Sequence, residues 1–306
     1  MNFLALLLGL ALERLLTHLF HLREFRWLDP LFDAHLRRLR APAPGTAAPV
    51  RRWIALALTT LLAALLVAPV ALLALALRGE LLQVPYFAFA VVLLLFSLGP
   101  RDLDDEVEDY GDALESGNVE TQQRVAEELL ERTPSALPAE RNAAVERAIY
   151  VQANNRIFGV VFWFLVLGPS GAWAFRVLDL LRHRSERQVG GDGVTPTMEA
   201  VRTLHGLLAW IPSRLLALGY VLAGNFEEAM ESWRNRGREA TLSFADGTAE
   251  IMARVGIAAS GRGALDVADT AEARDRIRGA RTLVMRTLWM IWCPVIAVLT
   301  LYDWLT

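Results

Sequence analysis

The run from Trp53 to Leu77 holds 25 residues without a charge, and Arg51, Arg52 and Arg78 bracket it. About 20 apolar residues cross the hydrocarbon of a bilayer. A segment this long and apolar on every face predicts a membrane-spanning helix, with Pro69 as a tolerated kink. Gln83 to Pro100 is also uncharged and follows the short link "RGELLQ", so the two spans form a hairpin. Leu283 to Leu305, interrupted by Arg286 and Asp303, is a further span, and Met1 to Phe20 makes a fourth.

Composition agrees with that reading. Of 306 residues, 54% are hydrophobic and 21% charged, with a mean hydropathy of +0.32. That is too apolar for an ordinary soluble domain and too charged for a chain lying wholly in lipid. Every basic residue is an arginine, which excludes a phosphate-binding lysine, a Schiff-base lysine and a lysine general base. A net charge of −3 gives no global field for nucleic acid. Cys293 is the single cysteine, so an intramolecular disulfide and a cysteine metal cluster are both excluded. The N-terminus lacks a positive n-region and a small-residue cleavage site, and is read as a retained helix.

Arginine in the short loops sets the expected orientation. The loop from His21 to Arg52 carries Arg23, Arg26, Arg37, Arg38, Arg40, Arg51 and Arg52, whereas the 78–83 turn carries only Arg78. Arg274, Arg276, Arg278 and Arg281 precede the last span. These loops agree if they are cytoplasmic and both termini lie outside. The segment "IFGVVFWFLVLGPSGAWAFRVLDLLRHR" breaks the scheme, because Arg176, Arg182, Arg184 and Arg187 would follow a single crossing. Its interior "GPSG" predicts two half-helices over about 157–181. They either enter and return on one side or form a kinked span. "TLHGLLAWIPSRLLALGYVLAG" is expected to be broken in the same way, over about 204–223, by Pro212 and Arg214. The stretches 101–156 and 225–282 read as soluble helical segments, with Asn118 and Asn225 as helix caps. No strand run, repeat or nucleotide-binding glycine loop is present. The expected fold is therefore all-α, a single polytopic membrane domain over 1–306.

Three stretches could carry chemistry. Arg14, His18 and His21 share one face of the first helix, with Glu13 beside them. Ionisable groups inside a span are costly unless paired or facing a cavity, so this is either a Glu13–arginine pair locking helices or a polar ligand site. "RDLDDEVEDYGD" concentrates Asp102, Asp104, Asp105, Glu106, Glu108 and Asp109; it reads as a solvated N-terminal turn or a patch for Mg²⁺ or a cationic ligand. In "AWIPSRLL", Arg214 beside Trp210 suits a carboxylate or phosphate, or snorkels to a lipid headgroup.

At "LERL", "RWLDPLFDAHLRRLR", "QANNRIFGVVFWF" with "GPSGAWAFRVLDLL", and "WIPSRLLALGYVLAGNFEEAMESW", the chain resembles the AmpE family of inner-membrane proteins. That family is in turn similar to the CobD/CbiB family, membrane enzymes that join an amino-alcohol arm to a corrin acid in cobalamin synthesis. The cobalamin enzymes carry an "E-N-x-x-D-G" pattern where this chain has Val151, Gln152 and Asn155. They carry "D-D-x-x-N" where it has His205, Gly206 and Ala209. The AmpE resemblance implies a multi-pass protein of the bacterial inner membrane. Its implied role is to modulate signalling from peptidoglycan recycling to β-lactamase induction. The expected partners are membrane lipid, a muropeptide or other anionic small molecule, and AmpD or another cytoplasmic protein. The expected ligand site is an arginine-lined cavity formed by Glu13, Arg14, His18, Arg176, Trp210 and Arg214, with no catalytic residue, metal or cofactor. The alternative is a membrane enzyme of the CobD/CbiB type acting on a different amphipathic carboxylate, with Glu13, His18, His205 and Glu250 as acid–base candidates. A transporter built on the broken helices ranks third.

Overall fold

The computed structural model describes residues 25–40, 48–77, 84–98, 103–188, 195–235, 243–261 and 270–298. Among these residues all regular structure is helical. A 3-10 turn at Arg26–Leu28 leads into α1 (Asp29–Arg40), α2 (Ala48–Leu77) and α3 (Val84–Ser97). Then come α4 (Leu103–Glu115), α5 (Val119–Leu130) and α6 (Pro138–Ala153), which passes through a π turn at Asn154–Phe158 into α7 (Gly159–Leu167). They are followed by α8 (Pro169–Gln188), α9 (Pro196–Ala223), α10 (Phe226–Arg234) and α11 (Phe244–Ala259). Last is α12 (Thr270–Arg286), which runs into a second π turn at Thr287–Trp292. The chain forms two compact units, one from residues 1–100 and 159–209, the other from 101–158 and 210–306.

Among the described residues four helices are long and apolar enough to cross a membrane: Pro49–Leu77, Pro138–Leu167, Pro196–Ala223 and Thr270–Val298. Their surroundings differ. Only 11% of the apolar window of Pro49–Leu77 is buried, against 67% for Pro138–Leu167. Leu61, Leu65, Leu72 and Leu75 of α2 stand exposed, a surface that water penalises and lipid does not. The expected span over 83–100 is the 14-residue helix α3. At 1.5 Å per residue it reaches about 21 Å, short of a ~30 Å hydrocarbon core. The expected first span, 3–20, lies outside the described residues.

In the first unit α8 is the hub, packing on α1, α2, α3 and α7. Phe25, Leu28, Phe32, Leu62, Trp173, Val177 and Leu181 form its core. Arg184 ties α8 to α1 by giving two hydrogen bonds, 2.7 and 2.8 Å, to the carboxylate of Asp33. The break between α7 and α8 falls where "GPSG" stands. Gly168 takes a left-handed φ of 69°, a conformation glycine adopts without steric cost. Pro169 opens α8 at its first position, where a missing N–H does no harm. Gly171 then allows close crossing: a Cβ there would collide with the Trp163 carbonyl and lie 2.7 Å from the Leu167 Cβ.

Where the sequence suggests a break at 204–223, the structure has one uninterrupted helix, α9, with Pro212 inside it. The physical reason is local. Proline at 212 removes the N–H that would bond the carbonyl of Leu208, four residues back. The Trp163 indole Nε1 donates to that carbonyl instead, at 2.9 Å. Two residues further on, Ser213 Oγ and Arg214 Nη1 both donate to the Trp210 carbonyl, at 3.0 and 3.1 Å. In α2, too, an indole bonds a helix carbonyl near a proline: Trp173 Nε1 donates to the carbonyl of Leu66, three residues before Pro69, at 3.0 Å.

The second unit is held by α12 against α4 and α6, α11 against α6 and α10, and α5 against α4 and α6. Tyr110, Leu129, Ile149, Tyr150, Tyr220, Val255 and Ile277 are fully or almost fully buried in its core. The two π turns meet there, with the rings of Phe158 and Trp292 4.9 Å apart.

Candidate functional site

On α8, Arg176, Asp179, Arg182 and Glu186 recur every three or four residues and so share a face. Arg176 and Asp179 are each 3% exposed, and His205 is 6% exposed. Arg176 Nη1 donates to Asp179 Oδ2 at 3.0 Å, and Arg182 Nη2 donates to Oδ1 at 2.8 Å. His205 Nε2, from α9, stands 3.6 Å from the same Oδ1. Its ring lies 5.3 Å from that of Phe175. Glu186 continues the ladder, accepting from Arg182 Nη1 at 3.3 Å and from Arg202 Nε at 3.1 Å. Arg202 and His205 sit three apart on α9, which faces them both toward α8.

A buried carboxylate between two guanidiniums is held ionised, because nearby positive charge favours the anion. An imidazole beside it is oriented by the carboxylate and stabilised when it takes up a proton. The guanidiniums have five N–H donors each and suit a carboxylate or phosphate. Asp179, His205, Arg176 and Arg182 together can therefore hold an anion and move a proton in one place.

The sequence-derived residues fall into different settings. Glu13, Arg14 and His18 lie outside the described residues. Arg176 is the member that enters the cluster. Trp210 and Arg214 lie in the second unit, where the Arg214 Cζ stacks 4.3 Å from the Trp210 ring centroid. Glu250, an acid–base candidate, is paired with Arg147 in the second unit. The acidic stretch is not a solvated turn throughout. Glu106 is buried and accepts from Arg156 Nη1 at 2.7 Å, and Asp104 pairs with Arg281. Asp179 was not among the sequence candidates and Arg182 entered only as an orientation charge, although the spacing Arg176, Asp179, Arg182 marks one helix face.

The positions of the cobalamin pattern also separate. Gln152 is buried at the π turn, where it donates to the Leu129 carbonyl at 3.0 Å and accepts from Arg156 Nε at 3.3 Å. Asn155 is buried beside it. Arg141 adds Nη2 to Gln122 at 2.8 Å, and the Tyr110 hydroxyl donates to Asn142 at 2.7 Å. Burial raises the Tyr110 pKa, with Arg141 opposing it. This second network joins α4, α5 and α6 and reads as structural. His205, by contrast, stands at the Asp179 cluster.

The CobD/CbiB protein family model matches residues 6–259, which include the whole cluster. The chain belongs to the CobD/CbiB family. It is 29% identical to the cobalamin biosynthesis protein CobD of Chromobacterium violaceum over 213 residues, 67% of this chain and 62% of that protein. It is 27% identical to the cobalamin biosynthesis protein CobD of Stutzerimonas stutzeri over 184 residues, 58% and 55%. The matches thus span less than two thirds of either relative. No solved structure matches the chain.

Membership of the CobD/CbiB family overturns the expected signalling role between peptidoglycan recycling and β-lactamase induction. The stretches that suggested AmpE are mostly apolar helix residues, which membrane helices of different function share. The CobD/CbiB membership and the four apolar helices make the chain a membrane protein.

Proposed function

We propose that this protein is an enzyme of the CobD/CbiB type in the bacterial cytoplasmic membrane, one that forms an amide bond on an amphipathic carboxylic acid other than the corrin acid. The observation that carries this reading is the placing of His205 3.6 Å from Asp179 within the family-matched segment. At position 205 the family pattern has a carboxylate; here the carboxylate is supplied from α8, and an imidazole faces it. Arg176 and Arg182 hold the substrate anion. His205 takes the proton from the attacking ammonium group, and Asp179 stabilises the imidazolium that results.

The balance is that of an amide ligase. The acid is activated by a nucleoside triphosphate as an acyl phosphate. The amine then forms the C–N bond as the C–O bond to phosphate breaks, which releases phosphate and the nucleoside diphosphate. Magnesium enters with the triphosphate as substrate. Among the described residues no three acidic or metal-ligating side chains converge to hold a resident ion, and no step is assigned to one.

The test is nucleoside diphosphate release by the protein in nanodiscs, with Mg-ATP, an amino alcohol and a panel of amphipathic carboxylic acids that includes a corrinoid acid. Release that requires both acid and amine is expected, falling 10²–10⁴-fold in His205→Gln. Acid-dependent release unchanged in His205→Gln would remove the residue from the chemistry. Stabilisation by an acid without turnover would make the protein a binding module.

A further inference from the structure

The helix face that runs from α12 into the π turn beyond it carries Arg278, Arg281, Met285 and Trp289, spaced three and four residues apart, with Arg286 next to Met285. Together with Asp104 of α4 these residues line an open groove of about 560 Å³. Arg281 is fixed at its centre, paired with Asp104 and with Glu108, the latter at 3.1 Å. Arg278 and Arg286 extend from exposed positions on either side of it. Eight residues apart on a helix, they are separated by about 12 Å along the axis, within reach of one phosphate for two arginine side chains.

The groove changes character along its length. Beyond Arg286 the chain has no charge up to Val298, and Trp289 and Met290 are 62% and 68% exposed. Tryptophan belongs at the level of the headgroups, and guanidiniums just outside it meet their phosphates. Two carboxylates oppose three guanidiniums here, so the groove as a whole favours an anion. A free anion would match only the charged half. A molecule with an anionic head and an acyl chain matches both.

We propose that this groove is a binding site for an anionic phospholipid, whose phosphate is held by Arg278 and Arg286 and whose first chain carbons pack on Met285 and Trp289. The site is independent of the Asp179 cluster and of the reaction assigned to it. Arg281 is a positioning residue: its pairing with α4 sets the floor on which the phosphate lies.

The protein is purified in mild detergent and offered phosphatidylglycerol or phosphatidylcholine of the same chains, and retained lipid is counted by native mass spectrometry. At least tenfold preference for phosphatidylglycerol is expected. The double variant Arg278→Gln/Arg286→Gln should lose that preference, with an unchanged helical spectrum in lipid-free detergent. Arg278→Lys/Arg286→Lys should keep part of it. Trp289→Ala should reduce retention of both lipids while leaving the preference. Equal retention of the two lipids by the wild type, or a preference surviving in the Gln variant, overturns the proposal. Displacement of phosphatidylglycerol by millimolar inorganic phosphate also overturns it, because the site would then belong to a free anion.

Discussion

Around Asp179, one buried carboxylate meets Arg176, Arg182 and His205. In the other unit Glu106 pairs with Arg156, 50 residues on, and Glu146 with Arg276, 130 residues on. The second kind of pair ties helices together that are distant in the chain. Much of the first kind runs along α8 itself, three and four residues apart, where it adds little to tertiary structure. Burying charge is costly in either place. Where the pairs join distant helices, fixing the fold offsets that cost. Where two guanidiniums of the same helix and a histidine from α9 crowd one carboxylate, function is the better explanation.

Removing one arginine from each group is the sharpest way to break this contrast. Arg156→Gln takes the cation away from Glu106 in the core and is expected to cost about 3–5 kcal/mol, read as a large fall in thermal midpoint. Arg176→Gln leaves Arg182 on Asp179, so only the hydrogen bonds to a charged group are lost, about 1.5–3 kcal/mol. Its effect on anion-dependent turnover should be far larger than its effect on stability. If both variants unfold the protein to the same degree, the two groups do the same job and the distinction fails.

Glycines extend the comparison to packing. Gly171→Ala forces a methyl against the Trp163 backbone at the α7–α8 crossing and should cost about 1–3 kcal/mol. Gly111→Ala on α4, where nothing lies within 4 Å of the added carbon, should stabilise by about 0.5–1 kcal/mol through helix propensity. Thermal melts of both variants in one detergent would check the opposite signs.

The smallest effect is a pH dependence in the first unit. Burial lowers the His35 pKa below its ordinary 6.5, and its Nε2 meets Thr59 Oγ1 at 3.2 Å. The unfolded chain therefore binds a proton at a pH where the folded chain does not. This contribution to stability is complete above pH 6.5 and declines as the pH falls below it. His35→Gln should flatten that decline, and a midpoint scan from pH 8 to 5 would show it.

The span over 53–77 was legible because a chargeless run of that length admits few other folds. The break at Gly168 was legible too, since glycine followed by proline ends one helix and starts another. Pro138–Leu167 was not read as one apolar helix, because Arg141, Glu146, Gln152 and Arg156 look like a water-facing surface. Their partners, Gln122, Arg276, Leu129 and Glu106, are supplied by other helices, which no local pattern reveals. Pro212 misled for a related reason: proline reads as a break only while its orphaned carbonyl lacks a donor, and Trp163 comes from 45 residues away. Of the candidate site, Arg176 was visible as an arginine in an apolar segment. Asp179 was hidden by its place between arginines in what reads as the charged end of a helix.

The two indole hydrogen bonds from Trp163 and Trp173 to helix carbonyls near Pro212 and Pro69 give the α7–α8 hairpin its own reporters. A hydrogen-bonded indole N–H has a displaced proton resonance and a red-shifted emission. Selective labelling of these two tryptophans would follow the hairpin's attachment to α9 and to α2 separately, in a bilayer and during turnover. A substrate that loosens one attachment while sparing the other would register as one signal moving alone, and the hairpin could be watched as it works without any foreign probe.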